Sequence, residues 1–346
     1  MSKKKYTEIA ELGEFGLIEH LTKNIKLKNA STVKGVGDDS AVLDYKDKHV
    51  VVSTDLLLEG IHFDLTYTPL KHLGYKAVVV NISDIYAMNA VPRQVTVSVG
   101  VSSKMSVEAL DQFYEGVYLA CERYSVDVVG GDTSSSLTGF TISITAIGEG
   151  EKDDIVYRSG AGVNDLICAS GDFGAAYMGL QLLEREKKIF QGNPEVQPDL
   201  ASNDYLLERF LKPEARVEVV ELLRKIGVKP TSMIDVSDGI SSELLHICKQ
   251  SGKGCRLYEE KIPIDTTTAM LAEEMGINPL VAALNGGEDY ELLFTIRQED
   301  YERFVNADSE ISIYAIGHIT EESKGAYLVT TADQEVKLSA QGWKHL

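Results

Sequence analysis

Apolar and polar positions alternate along this chain with two periods, and the period changes mark out its elements. Over residues 14–24, EFGLIEHLTKN, the apolar positions Phe15, Leu17, Ile18 and Leu21 predict a short amphipathic helix. Residues 50–52 form a strand-like run that ends in Ser53, Thr54 and Asp55. The segment from Pro69 to about Ala90 carries two signals. Its VVVNI core reads as a strand by propensity, whereas Leu70, Leu73, Ala77, Val80, Asp84 and Ala87 follow helical spacing. The pattern is too long for a strand, and Pro69 suits a first helical turn, so a helix is expected.

Strands are expected over 94–101, 126–129 and 140–147, with a helix over 106–124 capped by Ser106. This half mixes strands and helices without simple βαβ regularity. The polar stretch 149–154 suggests a boundary, dividing the chain into domains 1–153 and 154–346. The second half is expected to hold strands at 165–169, 233–236, 290–296 and 312–316. Helices are expected at 175–186, 204–211, 214–226 and 240–250, and a loop at 190–203. The fold class is α+β.

Length and composition agree with two globular domains: 346 residues, 44% hydrophobic and 25% charged. No run of about 18 apolar residues exists, so no membrane span is expected. The N-terminus has basic residues but no apolar stretch behind them, so it does not read as a secretory signal. A cytoplasmic protein is expected. Cys121, Cys168, Cys248 and Cys255 show no metal-ligand spacing and read as reduced thiols in or near the core. The net charge of −19, with no basic run beyond Lys3 to Lys5, argues against nucleic acid as a partner.

Small residues and carboxylates repeatedly follow an apolar run. The cases are Gly37-Asp38-Asp39, Ser53-Thr54-Asp55, Asn81-Ile82-Ser83-Asp84, Gly130-Gly131-Asp132, Asp235-Val236-Ser237-Asp238 and Gly286-Gly287-Glu288-Asp289. A carboxylate at the end of a buried element is costly unless paired, hydrogen-bonded or metal-bound. No matching set of Lys or Arg lies beside these motifs in the sequence. Hard Mg²⁺, which takes a few carboxylates plus phosphate oxygens, is the economical partner and turns an acidic cleft into a phosphate site. The paired glycines are expected to form tight turns that approach a ligand closely. Any one such motif alone is usually just a turn or helix cap; six in one chain are not. His20, His62 and Trp343, taken singly, read as structural residues. P-loop, protein-kinase and nucleophile-elbow signatures are absent, and GVGDDS lacks the third glycine of a dinucleotide fingerprint.

The ordered set GEFGLI, GDDSAVL, STDLLLEGIHF, YKAVVVNISDIYAM, GGDTS, RSGA, IDVSDGISSEL, GGEDYELLF and GWKH resembles the bacterial thiamine-monophosphate kinase family, from about Gly13 to the C-terminus. The resemblance implies a two-domain fold like that of aminoimidazole ribonucleotide synthetase. In it, N-terminal strands pair into a barrel across a homodimer, the C-terminal domain is an α/β sandwich, and ATP lies between the domains. It implies ATP-dependent phosphorylation of thiamine monophosphate to thiamine diphosphate by direct in-line transfer with several Mg²⁺ ions. It further implies Asp39, Ser53, Thr54, Asp55, Asp84, Asp132, Asp235 and Asp238 as magnesium ligands. Gly131, Asp132, Arg158 and Ser237 are implied as ATP contacts, and His62, Glu288 and Trp343 as contacts for the thiamine substrate. Catalysis would fall to Asp55, Asp132, Asp238 and Arg158. Asp38 and Asp289 are expected to orient neighbouring ligands. The alternatives are another Mg-ATP enzyme of the same superfamily or a non-catalytic nucleotide- or metal-binding protein. Selenophosphate synthetases are disfavoured because they carry a reactive Cys or selenocysteine near the N-terminus, whereas the first cysteine here is Cys121. The hydrogenase-maturation relative ends in a reactive cysteine, and this chain ends in Leu346.

Overall fold

The computed structural model describes residues 31–35, 37–102, 105–307 and 311–340. The expected helix at 14–24 and Trp343 lie outside them. The first half builds a six-stranded sheet from β1 (Thr32–Lys34), β2 (Ala41–Tyr45), β3 (Lys48–Leu58), β4 (Val91–Val101), β5 (Asp127–Ser135) and β6 (Thr141–Glu151). Their order is β1-β2-β3-β6-β4-β5, antiparallel except for the parallel pair β4–β5. Helix α1 (Leu70–Ala87) and helix α2 (Val107–Tyr124) also belong to this half.

Helix α1 explains the double signal of its sequence. It follows Pro69, and 14 of its 18 residues are buried, so no polar stripe breaks the apolar run. Helix α2 is amphipathic, and the Ser106 side chain accepts the Ala109 N–H at 3.2 Å, as expected of its cap. The two helices cross backbone to backbone: a Cβ on Gly74 would lie 1.9 Å from the Phe113 carbonyl oxygen. A Cβ on Gly116 would lie 1.9 Å from that of Lys71. Strand β4, helix α2 and strand β5 form one βαβ unit, a regularity the alternation pattern had not suggested.

An expected strand end and an expected tight turn are strand interior instead. Ser53-Thr54-Asp55 lies inside the 11-residue strand β3, fully paired with β6. Gly130-Gly131-Asp132 lies inside β5, paired with β4 through a register shift. Gly131 does serve close approach, but to Val97, whose carbonyl oxygen a Cβ would meet at 1.8 Å. All nine residues of β5 are exposed on the sheet edge.

Among the described residues the second half carries seven strands: β7 (Leu166–Ser170), β8 (Ser232–Asp235), β9 (Lys253–Tyr258), β10 (Leu292–Ile296), β11 (Ile313–Glu321), β12 (Ala326–Val329) and β13 (Glu335–Lys337). Their order is β13-β12-β9-β11-β7-β10-β8, with β12–β9 the parallel pair. The helices are α3 (Ala175–Gly192), α4 (Asp204–Leu211), α5 (Val217–Lys225), α6 (Ile240–Ser251), α7 (Thr266–Glu274), α8 (Pro279–Asn285) and α9 (Gln298–Val305). Helix α3 runs into the region expected to be loop. One apolar cluster joins the halves, with α1 and β6 side chains continuous with Val219, Met233 and Phe294. All four cysteines are buried free thiols. Among the described residues, no helix is long and apolar enough to cross a membrane.

Candidate active site

Three elements deliver the central carboxylates. Strand alternation puts Ser53, Asp55 and Leu57 on the face of β3 turned inward, and Thr54 on the other. The Thr54 hydroxyl accordingly donates to the Ile144 carbonyl and accepts from Thr145, both at 3.0 Å. Helix α1 brings Asp84, and the end of β8 brings Asp235. Oxygens of Asp39, Asp84 and Asp235 lie within 4.8 Å of one another.

Hydroxyl and amide partners fix this cluster. Ser53 Oγ makes a very short hydrogen bond to Asp84 Oδ2, and Ser83 Oγ donates to Asp235 Oδ2 at 2.6 Å. Asn81 Oδ1 accepts the Asp55 N–H at 3.0 Å, while its amide nitrogen donates to Ala77 O one turn back. Arg158 forks onto Asp39, with Nε and one terminal nitrogen each 2.8 Å from a carboxylate oxygen. The sequence had offered no cation beside this carboxylate; the fold brings one from 119 positions away. Asp38 accepts the Arg158 backbone N–H at 3.2 Å and sits 3.6 Å from the Lys34 ammonium. Burial and the adjacent Asp39 push its carboxyl up to about 6.

The remaining carboxylates outnumber the cations near them. Burial first, then the charges of Asp55, Asp235 and Asp39, holds Asp84 well above the usual carboxylate range. Burial, with Asp39 second, pushes Asp235 up to about 8. Burial and then Glu288 push Asp55 up to about 6. Carboxyls so perturbed, facing one another, fit a hard divalent cation: its charge removes the repulsion, and its ligand preference is for oxygen.

A cavity of about 130 Å³ opens beside the cluster, lined by Asp55, His62, Lys76, Asp84, Asp235, Ser237 and Glu288. A second, of about 300 Å³, is lined by His62, Phe63, Tyr67, Leu180, Phe210 and Glu288, with Asp64, Glu184 and Lys187 among its polar groups. His62 and Glu288 border both. His62 Nδ1 accepts the Leu58 N–H at 3.0 Å, which leaves Nε2 as its other ring nitrogen. Glu288 is placed by an unusual loop. Gly287, Glu288 and Tyr290 have φ of +69°, +64° and +50°, and the Glu288 N–H donates to Ser237 O at 2.7 Å. A Cβ on Gly287 would lie 2.3 Å from that same oxygen, so glycine is required there.

Not every predicted residue joins the group. Asp132 and Gly131 stand exposed on the edge strand, outside the three-carboxylate cluster. Asp238 is half-buried, with its N–H donated to Glu243 Oε1 at 2.7 Å. Asp289 faces away, accepting N–H bonds from Gly174 and Ala176 at the start of α3 and lying 3.7 Å from Arg209. It anchors the loop to the second half. Sequence reasoning gave no role to Glu243, Asn81, Ser83 and Lys76. All four lie inside the quoted motifs, so position within a motif was the signal available. The roomier hollow beside Arg209, Arg216 and Glu291, about 490 Å³, is walled by charges already paired with one another.

Comparison with known proteins gives the family and the fold. The family AIR synthase related protein, N-terminal domain, matches residues 37–149, and its C-terminal counterpart matches residues 155–330. Thiamine-monophosphate kinase of Aquifex aeolicus (strain VF5) is 35% identical over 338 residues, covering 97% of this chain and 99% of the relative. The chain belongs to the thiamine-monophosphate kinase family. A family member from Escherichia coli (strain K12) is 30% identical over 336 residues, covering 96% and 98%. The solved structure of AaThiL complexed with AMPPCP and TMP superposes with a TM-score of 0.83 at 33% identity, covering 99% of both chains. The hydrogenase maturation protein HypE in complex with ATP shares the fold alone, at 20% identity and a TM-score of 0.69, covering 97% and 98%.

Proposed function

We propose that this chain transfers the γ-phosphoryl group of ATP to thiamine monophosphate, giving thiamine diphosphate and ADP. One observation carries the reading: a structure complexed with AMPPCP and TMP shares this fold over 99% of both chains. In the present chain, six of the residues expected at such a site line one small cavity. The reaction needs little from a protein base. The acceptor is a phosphate monoester, largely doubly ionised near neutral pH because its second pKa is about 6. The barrier lies in bringing two anions together in line.

In this reading Asp39, Ser53, Asp55, Asp84 and Asp235 would hold Mg²⁺ from the inner face of the cluster; Asp132 and Asp238 join the ligand set through the resemblance. The bound ions would neutralise phosphate charge and align the two phosphates. Thr54 enters the ligand set only through the resemblance, because its hydroxyl points to the opposite face of β3. Arg158, whose Nε and one terminal nitrogen are held by Asp39, would meet the ATP phosphates with its other terminal nitrogen. Gly131 and Ser237 would contact ATP through close backbone and hydroxyl approach. His62 and Glu288 stand where an acceptor phosphate in the smaller cavity would continue into the larger one. Tyr67 and Phe210 wall that space, each with a lysine ammonium, Lys187 and Lys76, over its ring. Trp343 is kept as a substrate contact by resemblance.

The same reading includes a homodimer in which the first sheet closes into a barrel with its mate. The exposed edge strand β5, with Val129 57% exposed, supports a partner on that side. It also includes the domain division at 153/154, and a reducing cytoplasm, which suits four free thiols.

Incubation of the purified chain with ATP and thiamine monophosphate, with and without Mg²⁺, tests the function. Metal-dependent, equimolar thiamine diphosphate and ADP are expected. ATP binding without thiamine diphosphate under any divalent metal would refute it and favour a sensor or a synthetase-type relative.

A further inference from the structure

One cation faces the carboxylate cavity from within. Lys76, Val80 and Asp84 follow one another at four-residue steps on α1, so the helix presents all three on one face, and all three line the smaller cavity. Eight residues of helix span about 12 Å. Helix α1 therefore sets an anion at one end of the cavity wall and a cation at the other. The Lys76 side chain is only 4% exposed. Its Nζ donates to the Phe210 carbonyl at 3.0 Å, lies 4.2 Å from the centroid of the Phe210 ring, and forms a close ion pair with Glu288 Oε2.

Glu288 and Phe210 also line the larger cavity, so the Lys76–Glu288 pair stands at the boundary between the two spaces. It also joins a helix of the first half to a loop of the second. A lysine buried this deeply is tolerated only when paired. The Glu288 backbone, at φ +64°, is held in a conformation that a glutamate seldom adopts. Both observations describe a carboxylate whose place is over-determined. With its charge already matched, Glu288 has Oε1, which accepts the Tyr290 hydroxyl at 3.4 Å and keeps a second lone pair, as an oriented hydrogen-bond acceptor.

We infer that Lys76 is a positioning residue for the acceptor: it fixes Glu288 at the junction of the two cavities, so that recognition there is by hydrogen bonding to a neutralised pair. This rests on the function proposed above. The test measures steady-state kinetics against thiamine monophosphate and against Mg-ATP for the wild type, Lys76→Met, Glu288→Gln and the double variant. Circular dichroism and thermal unfolding confirm the fold of each. Lys76→Met is expected to raise KM for thiamine monophosphate at least tenfold while KM for Mg-ATP stays within about twofold. The uncharged double variant is expected to match Glu288→Gln within about twofold, because the two residues act as one unit.

If Lys76→Met raises both KM values alike, or lowers kcat with both KM values unchanged, Lys76 does not position the acceptor. If Lys76→Met fails to fold, the double variant decides: a further tenfold loss beyond Glu288→Gln overturns the inference, and equality supports it. A wild-type chain that makes no thiamine diphosphate would overturn the functional reading itself, an outcome seen before any variant is compared.

Discussion

Asp235→Asn separates the chemistry of the carboxylate cluster from its effect on stability. In the metal-free protein Asp235 is 4% exposed, and its pKa is pushed from 3.8 up to about 8 by burial and by Asp39. A carboxyl raised in the folded state favours folding fully below its unfolded pKa, and that favour is lost as pH rises through the folded value. At pH 7 the unfolded chain ionises Asp235 freely and the folded chain does not. At 1.36 kcal/mol per unit, the gap from 3.8 to 7 corresponds to about 4 kcal/mol against folding. Asparagine cannot ionise and keeps an oxygen to accept the Ser83 hydroxyl. The variant should therefore be about 2–4 kcal/mol more stable at pH 7 without metal, allowing for the cost of burying its amide. The difference should vanish near pH 4 and level off above pH 8. Urea unfolding in EDTA at pH 4.5, 7 and 8.5 measures it. With Mg-ATP the order should reverse: the wild type gains stability from bound ligand and the variant does not, while turnover falls at least about 100-fold. A variant less stable than the wild type at pH 7 in EDTA, or a difference independent of pH, would refute the reasoning.

Three other substitutions test different parts of the molecule. Asp132→Asn, on the exposed edge strand, should leave the unfolding midpoint unchanged and reduce turnover at least about tenfold; equal activity would remove Asp132 from the site. Glu291→Gln should cost about 3–5 kcal/mol in urea unfolding, because the fully buried Glu291 is the shared partner of Arg209 and Arg216. Gly116→Ala forces a methyl to within 1.9 Å of the Lys71 carbonyl and should lower the melting midpoint by several degrees, by prising α2 from α1.

Much of the site was legible because its residues come in short runs whose chemistry is local. NISD reads as a carboxylate on a helix, and the helix was recognised from its spacing even though its burial on all sides mimicked a strand. What local pattern could not supply was the partner across the fold. Nothing near Asp39 in the chain announces Arg158, and nothing near Glu288 announces Lys76. Propensity also misled where function and strand coincide. Ser-Thr-Asp and Gly-Gly-Asp are turn-like compositions, yet each sits in the middle of a long strand because ladder hydrogen bonds on the neighbouring strand outweigh them. That placement sends Thr54 to the opposite face from Ser53 and Asp55, which alternation would have revealed had the strand been extended past Val52. Strands β9, β12 and β13 were missed because they are short: KGCRLY and EVK are broken by charged residues, and AYLV is an apolar run too brief to show a period.

The central claim is that phosphate passes directly from ATP to thiamine monophosphate within this cavity. A single turnover with ATP labelled at the γ-phosphate tests it most directly, quenched in acid and resolved into protein, nucleotide, thiamine diphosphate and inorganic phosphate. The account predicts one label per thiamine diphosphate formed, appearing without delay and never on the protein. Label trapped on the chain, or released only as inorganic phosphate, would contradict it.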